Sequence, residues 1–288
     1  MTAFEQLDDA KRADVLKFKY WLKQMRYSDR TVDSYLKALS VFLNFCKKPV
    51  HKINNNDIII FNNEYILARN LSRTYQGVTF CAIKLFYSRI KDKELLTEKL
   101  EYPRREHKLP NVLSKEEVAA ILKVHTNIKH KTMLSLIYSC GLRRGELLNL
   151  KPVDVDSKRN LLIIRNAKGF KDRVAPLSDK IIDALRNYYR LYRPLTWLFE
   201  GDKKGEPYSE QSLMAILKQA VRKANINKPV TLHWLRHSYA THLLENGTDL
   251  RYIQEILGHK SSRTTEIYTH VTSKSIQKIK SPFDELDI

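Results

Sequence analysis

Residues 161–177, LLIIRNAKGFKDRVAPL, are the one stretch of the 288-residue chain with a clear β pattern. A run of β-favouring residues leads into a turn that contains Gly169, and a second short strand follows. On both sides of this hairpin, apolar residues recur at three- and four-residue steps, the spacing of helices that bury one face. The sequence therefore predicts a mainly α protein with a small β-sheet.

The chain before the hairpin is predicted to begin with a bundle of four helices. Their apolar stripes cover residues 15–25, residues 32–43 after a cap at Ser28 or Asp29, residues 58–67, and a stretch beginning near Ser72. Short polar loops join these helices, as in other all-α bundles. Beyond them, Ser114 and Glu117 have the spacing of a capping box, and the helix that contains MLSLIY is predicted to end at Gly141.

The segment YPRREHKLPNV separates two predicted domains. It contains two prolines and four basic residues and has no periodicity, so residues 102–112 are predicted to be a linker. Residues 1–101 then form a helical domain, and residues 113–288 form a mostly helical domain that holds the small sheet. At roughly 150 residues per domain, the length of the chain agrees with two domains.

The chain is strongly basic, with 51 Lys and Arg against 32 Asp and Glu and a formal net charge of +19. Both halves share the excess, since residues 1–110 carry +8 and residues 111–288 carry +11. Nucleic acid is the simplest polyanion that would occupy two basic domains at once. A membrane surface is the competing partner, but no basic helix shows a clean apolar face, so we expect no membrane contact.

The sequence also points to the cytoplasm. No apolar run approaches the roughly 20 residues of a membrane span, and the N-terminal segment MTAFEQLDDAKR lacks the apolar core of a signal peptide. Cys46, Cys81 and Cys140 are odd in number and far apart, so neither a disulfide framework nor a CxxC site is predicted. Buried thiols in a reducing cytosol are the expected state.

Four segments combine residue types that are unusual together: GLRRGEL at 141–147, AKG at 167–169, HWLRH at 233–237, and LGH at 257–259 followed by Tyr268. Each has an ordinary structural explanation. Arg143 could cap a helix, Lys168 could be a solvated turn lysine, and Tyr268 could be a core tyrosine. Likewise, Gly258 at the end of a helix would leave His259 as merely the residue after it.

A metal site would have to be built on His233 and His237, which are four residues apart on one predicted helix. The glutamate of an HExxH motif is missing, and no CxxC pair or carboxylate cluster supplies further ligands. The sequence therefore predicts no metal. His233 is also three residues from Arg236, so that these two side chains share a helix face.

Taken together, the arginines, lysine, histidines and tyrosine of these segments suit a phosphodiester substrate. Arginine forks bind the non-bridging phosphate oxygens, and histidine adds a hydrogen-bond donor. A tyrosine hydroxyl can act as nucleophile once a base or a cationic pocket offsets its deprotonation cost of about 4 kcal/mol at pH 7. A lysine on the hairpin could protonate the departing 5′ oxygen, so that neither metal nor cofactor is required.

These motifs resemble those of the tyrosine recombinase, or phage-integrase, family, and especially its Xer-like members. The similar segments are GLRRGELLNL from Gly141, AKGFKDRVAPL from Ala167, HWLRHSYATHLL from His233, and LGHKSSRTTEIYTHV from Leu257. Their order and spacing agree with the family over residues 112–275, with one departure at Ala167, where the family often has glycine. Most of residues 10–100 resembles the family's N-terminal domain. The resemblance implies a helical SAM-like core-DNA-binding domain and a mixed α/β catalytic domain.

The resemblance implies a role for each of six residues. Tyr268 would be the nucleophile that forms a 3′-phosphotyrosine, and Arg143 and Arg236 would bind the scissile phosphate. Lys168 would be the general acid. His233 would be the base or a hydrogen-bond donor to the phosphate, and His259 would supply a further hydrogen bond. Glu146 occupies a position that is better interpreted as structural. All six positions are filled, which predicts an active enzyme that needs neither metal nor ATP.

The resemblance also implies partners. Family members work as tetramers on two double-stranded DNA sites and pass through a Holliday junction. We therefore expect a homo-tetramer, or a hetero-tetramer with a second recombinase, together with accessory proteins in some settings. The tail at 273–288 would dock on a neighbouring subunit unless it is simply frayed. Chromosome-dimer resolution and mobile-element integration use the same catalytic parts, and both stay open.

Two other functions fit part of the pattern. A non-catalytic DNA-binding protein with this fold would explain the charge, but a degenerate copy should have lost at least one of the six residues. A relaxing enzyme similar to type IB topoisomerases would share the chemistry and differ in its product. It would change the linking number of one DNA molecule, whereas a recombinase exchanges strands between sites.

Overall fold

The computed structural model describes residues 2–91, 110–167, 171–259 and 261–269. The chain divides into two units, residues 1–106 and residues 107–288, and each has a hydrophobic core of its own. Most of the linker expected at 102–112 lies outside the described residues, so the proposed domain limits stay a prediction. Across the described ranges, no helix is both long enough and apolar enough to cross a membrane.

The first unit is helical, as its apolar stripes predict. Its α-helices are α1 (Asp9–Gln24), α2 (Asp29–Cys46), α3 (Asn55–Ile60) and α4 (Arg73–Ile90). Ser28 and Ser72 cap α2 and α4, because each side-chain oxygen accepts a hydrogen bond from a backbone N–H of the first turn. The run expected as one helix at 58–67 is divided between the end of α3 and a π-helical segment, Phe61–Leu67.

The second unit surrounds its small sheet with helices. The elements in chain order are α5 (Lys115–Lys123), α6 (Ile128–Cys140), α7 (Arg144–Leu148), β1 (Val155–Asp156), β2 (Leu161–Ala167), β3 (Lys171–Pro176), α8 (Asp179–Tyr192), α9 (Glu210–Lys223), α10 (Leu232–Glu245), α11 (Leu250–Leu257) and α12 (Arg263–Glu266). The predicted capping box of Ser114 and Glu117 starts α5. Helix α6 packs against α5, α8, α9 and α10, and it ends at Gly141, whose φ is +56°.

The sheet is antiparallel, with the strand order β1-β2-β3. Strands β2 and β3 confirm the predicted hairpin, whereas the two-residue β1 is too short to show a pattern in the sequence. In β3, Arg173 and Ala175 are buried, while Asp172 and Val174 between and beside them are exposed. A charged side chain therefore occupies an inward-facing position of the sheet, next to the residues of the predicted site.

Candidate active site

The buried arginine Arg236 joins three segments of the second unit. It lies on α10 and is 1% exposed. Its guanidinium donates hydrogen bonds to the carbonyl of Gly141 and, at 2.6 Å, to the carbonyl of Leu257. It also lies 3.1 Å from Nε2 of His259. The end of α6, the end of α11 and the segment after α11 are thereby held around one cation.

Glu146 is the carboxylate of this cluster. Its Oε1 accepts a hydrogen bond from Arg143 Nη1 at 2.7 Å, and its Oε2 accepts one from Arg173 Nη2 at 2.7 Å. Arg236 Nη1 lies 3.8 Å from the same Oε2. Burial would raise the pKa of Glu146, but the hydrogen bonds and charges of Arg173 and Arg143 outweigh it and lower the pKa to about 2. Three guanidinium groups thus share one ionised carboxylate, which leaves positive charge to bind an anion.

The two adjacent arginines of the GLRRGEL segment point to different partners. Arg143 precedes α7, and its backbone N–H and side chain both donate to Glu146. The side chain of Arg144 instead forms an ion pair with Glu210 of α9 at 2.8 Å. Of these two neighbours, Arg143 is therefore the one that belongs to the cluster around Arg236.

The arginines of this cluster repel one another. Burial, followed by the charges of Arg143 and Arg173, lowers the pKa of Arg236 to about 9. A phosphate oxygen brought next to these groups would relieve the repulsion between like charges. Functional sites are where ionisable groups are commonly perturbed in this way. The cluster is therefore suited to bind a phosphodiester.

His259 is neutral and its tautomer is determined by its neighbours. Arginine can only donate, so Nε2 of His259 accepts from Arg236, and the proton is on Nδ1. That Nδ1 lies 2.9 Å from Oγ1 of Thr265, a buried hydroxyl that can accept the hydrogen bond. Burial and the charges of Arg236 and Arg143 lower the pKa of His259 to about 3. The neutral ring thus supports Arg236 from the side of α12.

Tyr268 lies in the turn that follows α12, two residues beyond the end of that helix, and is 1% exposed. Its ring packs with Tyr239, Ile253 and Leu257, and its hydroxyl oxygen lies 3.0 Å from Nδ1 of His237. Burial raises the pKa of this tyrosine, and the charges of Arg236 and Arg143 oppose that increase. The hydroxyl is therefore protonated at neutral pH and already has a potential proton acceptor.

The predicted site residues have different outcomes. The structure brings Arg143, Arg236, His259 and Tyr268 into one cluster, and it does not describe Lys168, which lies in 168–170. His233 is partly exposed on α10 beside this cluster, where burial, followed by the charges of Arg236 and Arg143, lowers its pKa. The ring of His233 packs against His237, with centroids 4.3 Å apart. Within the described residues, no three His, Cys, Asp or Glu side chains are arranged to hold a metal ion. The individual catalytic roles remain predictions.

Sequence reasoning missed two members of the cluster. Arg173 belongs to none of the four unusual segments, although its alternation with Ala175 along β3 is the signal for an inward position. The spacing of His237 from His233 suggests only a metal ligand, whereas the hydrogen bond of His237 is to Tyr268. That bond joins residues 31 positions apart, and no local spacing reveals it.

The comparisons with known proteins identify the family of the chain. The model of the phage integrase family matches residues 111–275, and that of the phage integrase N-terminal SAM-like domain matches residues 15–97. The tyrosine recombinase XerD of Staphylococcus saprophyticus is 34% identical over 280 residues, which cover 89% of this chain and 92% of that protein. The chain belongs to the tyrosine recombinase family. It is an enzyme that breaks and rejoins DNA strands.

Solved structures of tyrosine recombinases share the fold. XerH site-specific recombinase bound to its difH substrate matches with a TM-score of 0.70 and 23% identity, over 96% of this chain and 90% of that one. A lambda integrase tetramer bound to a Holliday junction matches with a TM-score of 0.74 and 16% identity, over 91% and 78% of the two chains. The helical bundle and the catalytic unit with its small sheet are therefore the architecture of this family.

Proposed function

We propose that Tyr268 is the nucleophile of site-specific recombination, and that its hydroxyl oxygen becomes joined to the 3′ phosphate of a cleaved DNA strand. The supporting observation is the convergence of cations on this buried hydroxyl. Burial raises the pKa of Tyr268, whereas the charges of Arg236 and Arg143 lower it. The same charges would stabilise both the tyrosinate and the negative charge that develops on the phosphate oxygens in the transition state.

The other residues of the proposed site divide the remaining tasks. Arg143 and Arg236 bind the scissile phosphate, and His259 holds Arg236 in place through its neutral Nε2. His233, which is exposed on α10, contributes a hydrogen bond to the phosphate. Lys168 donates a proton to the departing 5′ oxygen. Because the phosphotyrosine conserves the energy of the phosphodiester, rejoining requires only the attack of a second strand's 5′ hydroxyl.

The proposed assembly is a tetramer on two double-stranded DNA recombination sites. It consists of four copies of this chain or of two copies each of this chain and a second recombinase. Strand pairs are exchanged in turn through a Holliday junction, in the cytoplasm and with accessory proteins where the site requires them. The fold shared with the lambda integrase tetramer on a Holliday junction and with DNA-bound XerH supports this assembly. Chromosome-dimer resolution and mobile-element integration or excision are the reactions of this class.

The charge of the chain supplies a first check on DNA binding. Both halves are basic, so each would neutralise phosphates and release counterions. The logarithm of the affinity should then fall linearly with the logarithm of the salt concentration, with a slope of about −0.9 for each neutralised phosphate. A binding constant that does not respond to salt would contradict the role assigned to the +19 charge.

Covalent trapping on host DNA tests the proposed nucleophile. Nicked genomic fragments are incubated with the native protein, with Tyr268→Phe and with Tyr138→Phe, and protein-linked DNA is recovered after denaturation in SDS. Tyr138 is the matched control, because its hydroxyl also bonds to a histidine of α10. We expect linked DNA, with ends at one recurrent sequence, from the native protein and from Tyr138→Phe only.

Other outcomes distinguish the alternatives. Linked DNA from Tyr268→Phe would exclude Tyr268 as the nucleophile. Linked ends scattered over many sequences, together with a change of linking number in a single plasmid, would identify a relaxing enzyme. Binding without any linkage, even on nicked DNA that prevents religation, would indicate a DNA-binding protein that does not cut.

A further inference from the structure

The contact between His237 and Tyr268 goes beyond the six residues assigned above. Nδ1 of His237 lies 3.0 Å from the tyrosine oxygen, and the ring centroids are 5.6 Å apart. This distance is within the range of about 2.6–3.2 Å expected between a general base and the group from which it takes a proton. The two residues come from α10 and from the turn after α12, so tertiary packing alone brings them together.

We propose that His237 is the proton acceptor for Tyr268 during DNA cleavage. The proposal rests on Tyr268 being the nucleophile, as proposed above. In this step the hydroxyl proton moves to Nδ1 of His237, and the tyrosine oxygen forms a bond to phosphorus. The bond between phosphorus and the 5′ oxygen breaks, and that oxygen takes its proton from the general acid. On rejoining, the proton returns from His237 to the tyrosine oxygen as the 5′ oxygen attacks.

Geometry favours His237 over His233, the residue that the sequence motif suggests as the base. His233 lies one turn earlier on α10, on its exposed side, and its ring packs edge-on against His237. The hydrogen bond to the tyrosine oxygen comes from His237. In this proposal His233 faces the DNA phosphate, while His237 accepts the hydroxyl proton of Tyr268.

The surroundings of His237 explain why the tyrosine would be activated only on DNA. The charged and titratable groups that face it are His233 and Arg236 on α10, and Tyr268 and His259 beyond α11. Burial and the charges of His233 and Arg236 lower the pKa of His237 to about 4, so the ring is neutral and can accept a hydrogen bond. A bound phosphodiester adds negative charge beside these groups, which favours the imidazolium that proton transfer creates.

The chain offers a matched control on the same helix. His242 also lies on α10, and its Nδ1 is 2.9 Å from the hydroxyl of Tyr138. Both residues of this pair lie outside the proposed site. A substitution there should disturb packing to a similar extent without affecting the chemistry.

The decisive variants are His237→Asn and His242→Asn, because the asparagine amide can accept a hydrogen bond but does not take up a proton. Single-turnover cleavage is measured from pH 6 to pH 10 on a nicked substrate that carries the trapped target sequence. We expect His237→Asn to cleave about 100-fold more slowly at pH 7 and the deficit to shrink as hydroxide replaces the base at high pH. His242→Asn should stay within about twofold of the native rate at every pH.

A substrate with sulfur in place of the 5′ bridging oxygen separates the base from the acid. Its thiolate leaves without protonation, so Lys168→Ala should recover cleavage on it. His237→Asn should remain slow, since the tyrosine still lacks its acceptor. Recovery of His237→Asn on this substrate, or a native rate at all pH values on the ordinary one, would overturn the proposal.

Controls distinguish a failure of the His237 proposal from a failure of the proposed function. Cleavage by Tyr268→Phe would contradict the assignment of Tyr268 as the nucleophile. If Tyr268→Phe is inactive but His237→Asn cleaves at the native rate, only the role of His237 is contradicted. DNA binding and the melting temperature of each variant report on folding. Should His237→Asn fail to fold, His237→Gln in the same two assays decides the question.

Discussion

Helix α10 carries two histidine–tyrosine pairs that look alike and differ in their surroundings. Nδ1 of His237 lies 3.0 Å from the Tyr268 hydroxyl, and Nδ1 of His242 lies 2.9 Å from the Tyr138 hydroxyl. The two histidines are five residues apart, so they point in directions about 140° apart around the helix. One pair therefore lies in the arginine cluster, and the other lies against α6.

The difference between the pairs is electrostatic. Burial raises the pKa of both tyrosines, but only at Tyr268 do the charges of Arg236 and Arg143 oppose the increase. The charges acting on His242 are mixed, since Glu245 and Glu116 raise its pKa and Lys115 lowers it. A hydrogen bond to histidine is thus common to both pairs. Only Tyr268, the proposed nucleophile, also has cations nearby whose charges oppose the effect of burial on its pKa.

The largest effect should come from removing one of those cations. Arg143→Ala deletes a proposed phosphate ligand and a charge that opposes the rise in the pKa of Tyr268, so we expect single-turnover cleavage at saturating DNA to fall about 100- to 1,000-fold. Arg144→Ala removes a neighbour that pairs with Glu210 instead, and it should change the rate by less than about threefold. Equal losses in both variants would show that position within the cluster does not matter.

The next effect concerns the carboxylate that holds the cations together. Glu146→Gln leaves three buried or half-buried guanidinium groups without their counter-charge, and we expect it to lower the free energy of unfolding by about 3 kcal/mol. Glu117→Gln is the control, because Glu117 pairs with the more exposed Lys228 and should contribute about 1 kcal/mol or less. Urea unfolding of both variants measures the difference. Similar losses of unfolding free energy would contradict the prediction that the arginine cluster depends on Glu146 for stability.

Much of the fold could be predicted because its signals are local. Ser28, Ser72 and Ser114 cap helices that the apolar stripes also mark, and the hairpin after Leu161 is the place where the period changes. These features depend on residues a few positions apart. Neighbouring residues in the chain are enough to predict them.

The missing parts of the site depend on contacts between distant segments. Arg173 is a charged side chain on the inner face of β3, and it is stable there because Glu146, 27 residues away, meets it at 2.7 Å. Burial without that partner would be costly, so the sequence alone favours an exposed arginine. The pairing of His237 with Tyr268 is likewise created by the packing of α10 against the segment beyond α11.

The acid sensitivity of the two pairs should differ. The pKa of His237 is about 4 in the folded chain against an ordinary 6.5, so between these values the unfolded chain binds more protons. Its contribution to stability is complete above pH 6.5 and is lost as the pH falls towards 4. A one-proton difference gives at most about 1.4 kcal/mol per pH unit.

Urea unfolding at pH 5, 6 and 7 measures this difference. His237→Asn should flatten the dependence of the free energy of unfolding on pH. His242→Asn should flatten it less, because Glu245 and Glu116 oppose the effect of burial on His242. Equal flattening in the two variants would show that burial, His233 and Arg236 together lower the pKa of His237 no more than the surroundings of His242 lower the pKa of that residue.

The smallest effect should come from the glycines beside the pairs. Gly258 and Gly247 have φ values of +61° and +88°, so alanine at either position is strained by about 1 kcal/mol. At Gly258, the new Cβ would also lie 2.8 Å from Cδ of Arg173, whereas at Gly247 it would meet nothing within 4 Å. Gly258→Ala should therefore cost about 1 kcal/mol more than Gly247→Ala in urea unfolding. It alone should slow cleavage, because Arg173 cannot shift without disturbing Glu146 and, through it, the cations around Tyr268.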